Sequence, residues 1–162
     1  MSSFNRRTLI LSLAALSACG FQPAYGPAGT ANTLRGNIEV DAPDTQNGFD
    51  FVRRLEERLG QPQAPQYTLS YTLSLSEDDL GITPEQAITR YNVLGSADYT
   101  VRDVGSGAVV HSGNVSSFTS YSATDTTVST LSAKRDSYAR LMVVLADQIT
   151  TRLIATSGSW AQ

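Results

Sequence analysis

From Gln66 to Ser76 the chain reads QYTLSYTLSLS, in which Tyr67, Leu69, Tyr71, Leu73 and Leu75 alternate with Thr68, Ser70, Thr72, Ser74 and Ser76. An unbroken period of two over this length puts alternate side chains on opposite faces of a strand, one face buried and the other wet. The pattern recurs from Arg90 to Arg102, where Tyr91, Val93, Gly95, Ala97, Tyr99 and Val101 share one parity. Gly105-Ser106-Gly107 then reads as a tight hairpin turn. Ala108 to Tyr121 forms a third strand, with Val109, His111 and Val115 on one parity and Phe118 on the other. That change of phase predicts a bulge near Ser116 or Ser117. Between the first two strands, EDDLGITPEQAIT (residues 77–89) reads as a long acidic connection.

Two helical stretches flank the strands. In Phe49 to Leu59, Phe51 or Val52, Leu55 and Leu59 fall on one helical face, and Gly60 follows as a stop. From Asp125 to Ile154, Val128, Leu131, Tyr138, Leu141, Met142, Leu145, Ile149 and Leu153 recur mostly at steps of three and four. That helix is about 45 Å long at about 1.5 Å per residue. Lys134, Arg135 and Arg140 rule it out as a membrane span. A short strand is expected over Leu34 to Asp41, ended by Ala42-Pro43-Asp44. The order is β-α-β-β-β-α. It predicts an α+β two-layer sandwich over residues 34–156, with a mostly antiparallel four-stranded sheet packed against two helices. Residues 157–162 read as a disordered tail. With both helices on the odd-numbered face, Thr68, Ser70, Thr72 and Ser74 must face water or a partner.

The N-terminus has a separate logic. Arg6 and Arg7 precede an apolar run from Thr8 to Leu16, too short to cross a bilayer, which needs about twenty residues. A basic flank and a run of this length describe a secretory signal peptide over residues 1–18. The run ends in Leu16-Ser17-Ala18-Cys19, and Cys19 is the single cysteine of the chain. These four residues resemble the lipobox of bacterial lipoproteins. The resemblance implies cleavage before Cys19, S-diacylglycerol and N-acyl chains on it, and a lipid anchor in a membrane. Several acyl chains exceed the roughly two signals that stable anchoring needs. Residues 19–33, with their glycines and prolines, read as a flexible tether.

Several classes of chemistry lack their residues. Loss of Arg6 and Arg7 with the leader takes the formal charge from −3 to −5, and there is one lysine, so no basic footprint for nucleic acid exists. The single cysteine leaves no disulfide and no zinc set. His111 is the only histidine, mid-strand, and GSG at 105–107 is a hairpin rather than a nucleophile elbow. Glu77, Asp78 and Asp79 are adjacent and lack the alternating spacing of a calcium loop. The expectation is therefore no catalytic residues, no metal and no cofactor.

Cys19-Gly20-Phe21-Gln22-Pro23 and the element order of the whole mature chain resemble the LptE family of lipopolysaccharide-assembly lipoproteins. The resemblance implies a lipid-anchored protein on the periplasmic side of the Gram-negative outer membrane. It also implies a partner, the β-barrel LptD, whose lumen such proteins plug and whose assembly they assist, and a role in delivering lipopolysaccharide to the outer leaflet. Thr68, Ser70, Thr72 and Ser74 would then meet a polar lumen wall. Contact with lipopolysaccharide through basic residues near the sheet's connections would fall to Arg90, Lys134 and Arg135. Two other readings remain: a lipoprotein subunit of a lipid-trafficking ABC transporter system, and a structural envelope lipoprotein.

Overall fold

The computed structural model describes residues 26, 29–82, 88–123 and 126–161. Cys19, the leader expected over residues 1–18 and most of the expected tether lie outside the described residues. The elements are α1 (Thr30–Leu34), β1 (Ile38–Val40), α2 (Gln46–Leu59), β2 (Tyr67–Ile82), β3 (Ile88–Asp103), β4 (Val109–Ser122) and α3 (Thr127–Thr156), followed by a 3-10 turn at Ser157–Ser159. The sheet order is β1-β2-β3-β4. β1 runs parallel to β2, and the other pairs are antiparallel. This is the expected mostly antiparallel α+β sandwich, with α2 and α3 side by side on one face.

Period two sets the faces. Leu69, Val93, Ala97, Val101 and Val115 point toward the helices and are buried. There they meet Phe51, Leu55 and Leu59 of α2 and Leu141, Met142, Leu145, Ile149 and Leu153 of α3. α2 begins where the Thr45 hydroxyl accepts the Gly48 N–H at 3.0 Å, and ends at Gly60 with φ of 79°. The Arg54 guanidinium grips Asp147 of α3 with two parallel bonds of 3.0 and 2.9 Å, fixing how the two helices sit side by side. At the hairpin, Asp103 Oδ1 accepts from the Ser106 N–H at 2.7 Å, and Gly107 takes φ of 70°. Gly95 leaves room for Leu141 of α3 against the sheet. A Cβ there would stand 2.9 Å from Leu141 Cδ2 and 3.0 Å from Leu75 Cδ2.

The structure departs from the sequence reading in five places. Thr30–Leu34 is a helical turn, not the end of a tether and the start of a strand. Ala31 and Leu34, three residues apart, are both buried, and strand geometry is confined to Ile38–Val40. β2 does not end at Ser76. It continues through Glu77, Asp78 and Asp79 to Ile82, because β3 is long enough to pair with it throughout, with an irregularity at Leu80. β4 has no bulge at Ser116 or Ser117. Its register slips at Val110, and Phe118 stays on the uncovered face, 67 % exposed. Val128 and Leu131 are exposed because the first turns of α3 carry them away from the core cluster. The C-terminal segment up to Ala161 is not a disordered tail. Ser157 is buried, and the Trp160 ring stacks on His111 and meets Tyr67 edge-on, with ring centres 5.8 and 5.2 Å apart.

Candidate functional site

Two features stand out on this scaffold: a sheet face with no layer over it, and a polar cluster at the upper end of the helix-covered face. The uncovered face carries the even-numbered side chains of β2 and β3. Thr68 and Ser70 are half-buried by their neighbours, and Thr72 and Ser74 are exposed. The Ser70 hydroxyl donates to the Thr100 carbonyl at 3.4 Å. Asp98 accepts from the Asn114 amide at 2.8 Å. Higher up, Ser74, Ser76, Leu94, Ser96, Ser116 and Phe118 line a shallow depression of about 490 Å³. Hydroxyls there surround two apolar side chains, and Phe118 is the most exposed aromatic of the described residues. Such a face can exchange hydrogen bonds with any polar wall and offers one large apolar contact.

On the covered face, Glu77 is the centre of a cluster that sequence reasoning placed in a solvated loop. Its carboxylate accepts from the Tyr121 hydroxyl at 2.5 Å and from the Tyr138 hydroxyl at 3.1 Å, and pairs with the Lys134 ammonium at 2.7 Å. The Tyr91 ring stacks on Tyr121 with centres 5.0 Å apart. Burial alone would raise the Glu77 carboxyl. The ammonium and the two hydroxyls outweigh it and hold the carboxyl below its ordinary value. Lys134 is pushed up, chiefly by its bond to Glu77, and Tyr121 is pushed up by burial and by the carboxylate it donates to. The parity of Glu77, continuing Leu73 and Leu75, was the signal that could have placed it inside.

The structure separates the three basic residues expected to meet lipopolysaccharide. Arg90 lies on the uncovered side, donating to the Ser120 hydroxyl at 3.3 Å. Lys134 lies on the helix side and is engaged with Glu77. Arg135 is exposed and lines a groove of about 820 Å³ between the N-terminal ends of α2 and α3, with Gln46, Asn47, Asp50, Leu131 and Tyr138 among its walls. His111 is a packing residue. Its ring stacks on Trp160, its Nε2 lies 3.2 Å from the Tyr99 hydroxyl, and burial lowers its pKa. Among the described residues no cluster of three or more His, Cys, Asp or Glu could hold a metal ion, and no helix is long and apolar enough to cross a membrane.

Comparison with known proteins places this architecture. A putative lipoprotein from Caulobacter crescentus superposes with a TM-score of 0.65 at 24 % identity, covering 81 % of this chain and 96 % of its own. The rare lipoprotein B from Shewanella oneidensis gives 0.58 at 14 % identity, covering 75 % and 95 %. A minor lipoprotein from Acinetobacter baumannii gives 0.53 at 17 %, covering 74 % and 89 %. These likenesses establish the shared fold. No curated protein matches the sequence significantly. The model of the LptE family, described as lipopolysaccharide-assembly, matches residues 36–153, from the turn before β1 almost to the end of α3, and the chain therefore belongs to the LptE family.

Proposed function

We propose that this protein is an outer-membrane lipoprotein, anchored through acylated Cys19, that plugs the lumen of the LptD β-barrel, helps that barrel assemble, and so helps deliver lipopolysaccharide to the outer leaflet. It works as a stoichiometric partner and turns nothing over. The observation that carries the reading is the uncovered sheet face. Thr72, Ser74, Ser76 and Ser116 are exposed and give the middle of this face a patch of hydroxyls, with Arg90, Asp98 and Arg102 exposed around it. A barrel interior is polar, and a plug that fits it needs polar groups facing its wall. Family membership supports the lipopolysaccharide-assembly role. The basic, apolar and Leu-Ser-Ala-Cys sequence before Gly20 supports the anchor.

Depletion tests the role. It should lower both correctly assembled barrel and surface lipopolysaccharide, and normal levels of both would exclude it. Intact mass tests the anchor. The mature species should begin at Cys19 and carry acyl mass, and a species beginning there without added mass would refute lipidation. Cys19→Ala should block processing and leave the domain folded, since Ala31 and Leu34 are the first buried apolar residues among those described.

A further inference from the structure

The two long edges of the sheet are treated differently. α3 bridges β4 at two of its outward carbonyls and ties to it once more on the covered face. The Arg140 guanidinium reaches the Ser120 carbonyl, Arg152 reaches the Asn114 carbonyl, and the Thr119 hydroxyl bonds to Ser137. β2 is covered on its other side by β1 alone, and only over Tyr67, Thr68 and Leu69. The Tyr67 N–H donates to the Asn37 carbonyl, and the Leu69 carbonyl accepts from Asp41. Odd-numbered backbone groups of β2 thus face away from β3. The chain then leaves for α2, and above Leu69 no described segment takes β1's place. The N–H and C=O groups of Tyr71, Leu73, Leu75, Glu77 and Asp79 therefore point out from the sheet unpaired by any described strand. They span about 27 Å at about 3.4 Å per residue.

Natural sheets blunt such edges with lysine, proline, bulges or shortness. From Tyr71 to Leu75 this edge has none of these. Leu73 and Leu75 lie beside it half-buried, packed against the core yet not sealed by it. Toward the tip, Asp78 and Asp79 are exposed, and neither has an ion-pair partner among the described residues. Glu77, by contrast, is neutralised by Lys134.

We propose that the β2 edge above Leu69 is a strand-addition site, and that its occupant is an extended segment of the barrel partner that enters in line with β1. This rests on the plug reading. Main-chain bonds to the five odd-numbered residues supply the affinity. Alternate apolar side chains of the added strand cover Leu73 and Leu75, and lysine or arginine at the end nearest the tip faces Asp78 and Asp79.

Hydrogen exchange on the mature acylated chain, alone and in the complex purified with its barrel, tests this. In the free chain the even-numbered amides of the 71–79 segment, bonded to β3, should exchange slowly and the odd-numbered ones fast. In the complex the odd-numbered amides should slow by at least about tenfold. A second arm separates strand pairing from simple enclosure. Leu75→Pro removes an outward N–H and blocks a strand at that point, whereas Leu75→Ala removes the same side-chain contacts and keeps the donor. Barrel recovery should fall with the proline variant beyond its fall with the alanine variant. A complex that forms with odd-numbered amides unchanged, or with equal recovery for two folded variants, overturns the edge proposal and leaves the plug standing. Odd-numbered amides already slow in the free chain also overturn it, since the edge would be occupied from within. Failure of any barrel complex to form removes the plug reading and this proposal together. If Leu75→Pro unfolds the free domain, the exchange arm on the unmodified protein decides.

Discussion

Glu77 shows how one carboxylate joins three elements: β2 through its own strand, β4 through Tyr121, and α3 through Lys134 and Tyr138. The ammonium and the two hydroxyls share the carboxylate. Lys134 is 42 % exposed, and an ion pair at such a position contributes roughly 0–1 kcal/mol. Glu77→Gln keeps the shape, loses the charge and weakens both tyrosine bonds. It should destabilise the domain by about 1–3 kcal/mol in denaturant titration. Because the folded carboxyl is held below its ordinary value of 4.5, its contribution is complete above that value and disappears as pH falls through the lowered one. Lys134, whose pKa is raised above 10.5, contributes below that value and loses its share as pH rises through the raised one. The stability gap between wild type and Glu77→Gln should therefore be flat from about pH 5 to about pH 10 and should shrink on either side. A gap that widens on acidification would contradict the assignment.

At the scale of elements, the strands and both long helices were legible because period two and period 3.6 persist over many residues. Leu69, Val93, Val101, Leu141, Leu145 and Ile149 all lie where the alternation and the helical stripe put them. Leu145→Ala, at a fully buried position, should cost about 2–5 kcal/mol by thermal or denaturant melting. Gly95→Ala should cost about 1–3 kcal/mol despite improving strand propensity, because the new methyl meets Leu75 and the fully buried Leu141. Stability unchanged in the Gly95→Ala protein would mean that α3 rides higher over the sheet than described. What stayed illegible has local causes. Acidic Glu77-Asp78-Asp79 masked a strand whose reason to continue is its partner, β3. Phe118 suggested a phase change only because an exposed aromatic was not expected on a wet face. Trp160 follows Ser-Gly-Ser, which reads as a loose end until His111 and Tyr67 supply its contacts.

At the scale of the whole molecule, one face of the sheet makes the core and the other makes no contact with any described helix. The candidate barrel-facing residues Thr68, Ser70, Thr72 and Ser74 were readable from parity alone, since both helices were assigned to the odd side. The depression around Phe118 was not, because it gathers residues from three strands whose register only pairing defines. The central claim is that this hydroxyl face lies against a polar barrel wall. The most direct measurement is recovery of the barrel with the affinity-tagged, acylated protein extracted from outer membranes, comparing wild type with the double substitution Ser74→Glu and Ser116→Glu. Both residues are exposed and flank Ser96 in one cross-strand row. The substitutions should therefore move the stability of the isolated domain by no more than about 0.5 kcal/mol each. An equimolar barrel complex is expected for the wild type, and a clear loss of barrel from the folded double variant. Undiminished recovery of barrel with a folded double variant would contradict the claim.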